Sequence, residues 1–241
     1  MGTSQSHSLK TTPQWSSAKK AMTSVIKNQG NAQKHSKLMS TFGAAINEGL
    51  YRGGGNRSGG GFGKAGAHAL INVIQFISDV RASGIESAID SLNLAVDNKP
   101  QTPRELVMVL CGLSAEGTEA MMDDEAAIEA QDRMMSKIFE NSDSLEDVET
   151  ILQGADEETI DSWILFFEVE YIVEYMGGLF QSHIFDKDAN PDAVCDEIKQ
   201  WLRSELEERL ANEMRHINMF TPEGKAYIES LTSRILEIWQ E

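Results

Sequence analysis

The residues best suited to chemistry form four groups, and each is tested by its spacing. Gly61-Phe62-Gly63-Lys64-Ala65-Gly66 fits the G-x-G-x-x-G pattern and opens an apolar helical run, the arrangement in which helix amides cradle a pyrophosphate. The dinucleotide motif needs a strand before the first glycine, and here more glycine precedes it. The phosphate-loop pattern fails as well, because Ser58 stands at its first glycine and Ala65 follows the lysine. Glu213-Met214-Arg215-His216 is an E-x-x-H pair, and Glu168, Glu170 and Glu174 lie on another helical run. A di-iron bundle needs two such pairs, and the sequence supplies one.

His183 reads as a capping or core histidine, while His7, His35 and His68 have no cysteine or carboxylate at ligand spacing. Cys111 and Cys195 sit far apart in apolar helical patterns and read as reduced core residues. No G-x-S-x-G elbow and no Cys/His signature is present. The expectation is a protein that is not an enzyme, with no cofactor and no metal. The fourth group is the N-terminus. Met1-Gly2-Thr3-Ser4-Gln5-Ser6 fits the short myristoylation pattern, and removal of Met1 exposes Gly2 as an unhindered amine. With a pKa of about 7.7–8, that amine is partly neutral and nucleophilic near neutral pH.

The elements that must position these groups are helical throughout. Leu70, Ile71, Val73, Ile74, Ile77 and Val80 give one broad apolar face from Lys64 onward, with Gly84 ending or interrupting the run and a short helix starting near Ser83. Thr102-Pro103-Arg104-Glu105 is a capping box with proline at the first helical position. Further helices are predicted over 123–140, where Met121, Met122, Met134 and Met135 read as core or, alternatively, as an adaptable partner groove, and from Ser144 to Gly154. The 156–183 stretch, WILFFEVEYIVEYMGGLF at its heart, is the central core helix, with Gly177-Gly178 as a kink or stop. Asn190-Pro191 caps a helix to about Asn218, and Thr221-Pro222 caps the last. No alternating strand pattern and no repeat is seen, so the fold class is all-α.

Charge divides the chain differently. Residues 1–70 hold nine Lys or Arg against Glu48 alone, whereas the whole chain of 241 residues carries a net −17. Residues 1–17 are polar with Pro13 and read as a flexible tail; Trp15 there is either a docking anchor or a ring that packs on its own body. Residues 18–50 offer one or two weak helices with a thin stripe of Val25, Ile26, Leu38, Phe42 and Ile46. The glycine-rich run from Gly49 to Gly66 carries a large ordering cost and reads as a hinge or linker. The division expected is a flexible, basic, glycine-rich arm over 1–63 and an acidic helical bundle over 64–241. No run of about 20 apolar residues and no signal-type start is present, which points to a cytoplasmic protein with no membrane partner.

Taken together, the opening MGTS, Pro13 and Trp15 in a polar tail, RGGGNRSGGGFGKAG before an apolar helix, and FFEVEYIVEYMGGLFQSH before a long helix resemble the QatB family of the Qat anti-phage defence system, over nearly the whole chain. The resemblance implies a non-catalytic component acting beside an ATPase, a QueC-like enzyme of the QatC type and a TatD-like nuclease. QueC-like enzymes activate a deazaguanine carboxylate with ATP for attack by an amine. The implied role is to bind the QueC-like partner and serve as its substrate, with Gly2 as the modified residue and Thr3, Ser4, Trp15, Arg52, Arg57 and Lys64 as the partner-binding arm. The alternative is an adaptor whose basic arm grips a partner or nucleic acid without covalent modification.

Overall fold

A computed structural model describes residues 12–52, 62–115, 122–185 and 190–240. The described residues form ten α-helices and one short 3-10 turn, Val96–Asn98, with no strand among them. The fold is all-α. The helices are α1 Pro13–Lys27, α2 Ala32–Arg52, α3 Lys64–Ser83, α4 Ile85–Ser91, α5 Pro103–Ala115, α6 Met122–Ile138, α7 Leu145–Gly154, α8 Glu157–Phe185, α9 Pro191–Met214 and α10 Pro222–Glu237.

Local signals explain most of the helix starts. Proline occupies the first position of α1, α5, α9 and α10, where its missing N–H costs nothing and its fixed φ is already helical. The residue before it supplies the cap: Thr12 Oγ1 accepts from the Trp15 amide at 3.4 Å, Thr102 from Glu105 at 3.2 Å, Asn190 from Ala193 at 3.5 Å and Thr221 from Gly224 at 3.2 Å. At α7, Ser144 and Asp147 form a reciprocal capping box. In the helix opened by Thr102, the Glu105 carboxylate instead accepts from the Gln101 amide at 2.7 Å.

The chain divides into two units. One holds residues 1–59, 179–201 and 235–241; the other holds 60–178 and 202–234. This differs from the boundary at 63/64 read from charge and glycine content, because residues 179–201 and 235–241 join the N-terminal helices. In the first unit, α1 packs on α2, and the thin stripe is completed by residues far away in sequence. Val25, Leu38, Phe42 and Ile46 are all buried, and Phe42 and Trp15 both meet the Phe180 ring, at 6.5 and 6.2 Å between centroids. Of the expected tail over 1–17, residues 13–17 belong to α1, and residues 1–11 lie outside the described residues. Trp15 is only 8% exposed and is a core ring of this unit.

In the second unit, α3 packs on α4, α5, α6 and α7, and α8 supplies the centre. Residues 167–173 of α8 are buried without interruption, including Glu168 and Glu170, as a helix apolar on every side should be. Gly177-Gly178 neither stops nor ends it, since glycine costs a helix about 1 kcal/mol and the burial of the flanking apolar residues outweighs that. Met134 and Met135 are core residues of α6.

Gly224 in the first turn of α10 is the tightest backbone approach: a Cβ there would overlap the backbone of Asn218 and Met219. Gly177 has nothing within 4 Å of the same position. Gly224→Ala is expected to lower stability by about 1–3 kcal/mol and Gly177→Ala to leave it equal or raise it by up to about 1 kcal/mol, read as shifts of the urea midpoint.

Candidate functional site

The helix opened by the G-x-G-x-x-G pattern carries the most constrained polar cluster of the fold. Gly63 has φ +101°, a left-handed conformation open to glycine, and directs its own N–H and that of Ala65 away from α3. Such first-turn amides have no partner within their helix. Here Asp123, from the first turn of α6, supplies one: its carboxylate accepts from Ala65 N–H at 3.1 Å and from Gly63 N–H at 3.4 Å. The Tyr171 hydroxyl of α8 accepts from the Gly63 N–H at 2.8 Å and donates to Asp123 Oδ1. Gly66 completes the arrangement, because a Cβ there would lie 2.6 Å from Tyr171 Cε1. Phe62 stacks on Tyr171 at 5.2 Å and leans on Tyr175 at 4.3 Å.

This geometry answers the question the motif raised. The amides that would receive a phosphate are already filled by a carboxylate from the same chain, and that carboxylate would repel an anion. Two of the glycines serve the fold instead, Gly63 for its backbone conformation and Gly66 for the ring that presses on it. Burial pushes the Asp123 carboxyl up from its ordinary value, while the hydrogen bonds from Tyr171, Ala65 and Gly63 pull it back. Burial and the neighbouring Asp123 charge hold the Tyr171 phenol well above its ordinary value and push Tyr175 to about 12.

The acidic residues weighed as metal ligands are engaged separately. Glu168 is fully buried and accepts from the Thr232 hydroxyl at 3.0 Å. Glu170 and Glu174 converge on the Arg133 guanidinium at 3.2 and 2.8 Å, and Glu213 pairs with Arg234. His216 lies beyond the end of α9 at Met214, in a turn, so the E-x-x-H pair does not share a helical face as the predicted helix to Asn218 required. Among the described residues, no group of three or more His, Cys, Asp or Glu is placed to hold a metal ion. Cys111 is buried and its thiol is pushed up to about 12, chiefly by desolvation. Cys195 is half-buried and forms no disulfide among the described residues.

In the other unit, His35 is 2% exposed and stacks on Trp201 at 5.3 Å with its Nε2 2.9 Å from Glu197 Oε1. The same carboxylate accepts from the Gly30 amide at 2.6 Å. Sequence spacing gave His35 no carboxylate neighbour, because Glu197 is 162 positions away.

Of the expected partner-binding arm, Gly2, Thr3, Ser4 and Arg57 lie outside the described residues, as does the Arg52 side chain. Trp15 is buried and Lys64 is exposed at the first position of α3. These two are placed in different units. No helix among the described residues is long and apolar enough to cross a membrane. The chain matches no protein-family model, no curated protein and no solved structure.

Burial raises the Glu168 carboxyl to about 8, against an ordinary 4.5. The folded chain thus holds this proton more tightly than the unfolded chain. Its contribution to stability is fully present below about pH 4.5 and is lost as pH rises towards 8. Replacing Glu168 with Gln is expected to remove up to about one proton from the pH dependence of unfolding between those limits, measured by denaturant titration at several pH values.

Proposed function

We propose that this chain is a non-catalytic component of a bacterial anti-phage defence complex of the Qat type. In this reading it binds a QueC-like enzyme and presents its N-terminus as that enzyme's substrate. The Qat ATPase and TatD-like nuclease are the further partners this reading implies.

The observation that carries the reading is the way the N-terminal residues join the fold. Thr12 caps α1, Pro13 sets its first turn and Trp15 is buried against Phe180, so the attachment point is fixed. The ten residues from Gly2 to that cap have a contour of at most roughly 35 Å, enough to enter a partner's active site while the body stays docked. Gly2 offers an amine with no side chain to hinder it. The step is an acyl transfer: the amine attacks an ATP-activated carboxylate, the C–N amide bond forms, the activating group leaves and the amine gives up a proton.

The commitments of the buried polar groups support a non-catalytic role. Asp123 and Tyr171 hold the start of α3, Glu168 is bonded to Thr232, and the raised Cys111 thiol is a poor nucleophile. The concentration of positive charge before residue 70 favours one second reading, an arm that grips a partner or nucleic acid without a covalent mark.

Mass spectrometry of the intact protein and its N-terminal peptide, with and without the QueC-like partner, separates the two. The expected result is added mass on Gly2 only with the partner present, lost in Gly2→Trp while the complex persists. Bare Gly2 in both samples, or unchanged modification of the variant, contradicts the substrate role and leaves the adaptor.

A further inference from the structure

We propose that a cavity between α6, α8 and α9 in the second unit binds a nucleoside monophosphate. The cavity has a volume of about 310 Å³, at the lower end of the range for small-ligand sites. Lys137 from the last turn of α6 and Arg203 from the middle of α9 both line it, and both place their charge over the ring of Phe166, at 5.8 and 4.6 Å from its centroid. Neither is within ion-pair distance of a carboxylate among the described residues, although the chain carries 38 acidic side chains against 21 Lys and Arg. The Arg203 Nε is buried and has no hydrogen-bond partner. An anion in the cavity would supply the counter-charge that Arg203 and Lys137 do not receive from a described carboxylate.

The Arg203 guanidinium, a planar fork of donors, suits two oxygens of one phosphate or carboxylate, and Lys137 adds a second charge. Trp163 lines the same cavity and offers a π-face on which a planar base can stack. Glu140 and Glu207 complete the recognition pattern. An acidic peptide would bring only acceptors and would set them against these two carboxylates. A nucleotide brings an anion for the cations and base N–H donors for the carboxylates, so it satisfies both halves of the wall.

Calorimetric and fluorescence titrations of the full chain with the four ribonucleoside monophosphates, their nucleosides and inorganic phosphate test this. At least one monophosphate is expected to bind saturably, about tenfold or more tighter than its nucleoside and than phosphate. Arg203→Gln and Lys137→Gln are each expected to weaken it about tenfold while the far-ultraviolet circular dichroism is unchanged, and Trp163→Phe to remove the fluorescence response. Lack of saturation into the millimolar range overturns the proposal. So does phosphate or nucleoside binding as tight as the nucleotide, or undiminished affinity in both charge variants, of which Lys137→Gln alters an exposed side chain and leaves the core intact.

Discussion

A carboxylate from one helix closes the first turn of another, and the second unit is arranged around that contact. Asp123 takes the amides of Gly63 and Ala65, and Tyr171 bridges the carboxylate to the same glycine, so α3, α6 and α8 meet at one polar point inside an apolar core. Burying a carboxylate carries a desolvation cost, and three donors offset it only if their positions are fixed. The fold fixes them with a left-handed glycine, a glycine that lets a ring approach, and an aromatic stack of Phe62 on Tyr171 and Tyr175. A single slipped turn in any of the three helices would leave both the carboxylate and the amides unsatisfied. The contact therefore specifies register, a role that greasy packing alone performs poorly.

The first unit uses the same device on a smaller scale. Glu197 of α9 reaches the Gly30 amide between α1 and α2 and lies beside His35, whose ring is stacked on Trp201. Trp201 in turn meets Trp239 at 5.6 Å. Weakly apolar helices thereby gain a core, because the aromatic rings that fill it arrive from three distant stretches of chain. Polar groups that looked in isolation like catalytic or metal-binding candidates are, in both units, the fasteners between helices.

What the sequence made legible follows from the range of each interaction. Capping is local: Thr102-Pro103, Asn190-Pro191, Thr221-Pro222 and Ser144 announced their helices within four residues. The apolar density of the 156–183 stretch likewise identified α8 as central. The Asp123 clamp could not be read this way, since its partners lie 48 to 60 positions away and an aspartate in a first helical turn has a sufficient local explanation in the helix dipole. Trp15 was open to two readings for a similar reason, its partner Phe180 being outside any local window. The cation pair at Phe166 was invisible altogether: Lys137 and Arg203 are ordinary surface-pattern residues until the fold sets them on one ring.

Native-state hydrogen exchange of the Gly63 and Ala65 amides tests the clamp most directly. These two lie in the first turn of α3, where amides ordinarily exchange fast because no carbonyl of the helix receives them. Held by Asp123 and Tyr171, they are predicted to exchange only through global unfolding, as slowly as the core of α8, and to lose that protection together in Asp123→Asn. Exchange of both amides at the rate of a frayed helix end would contradict the account.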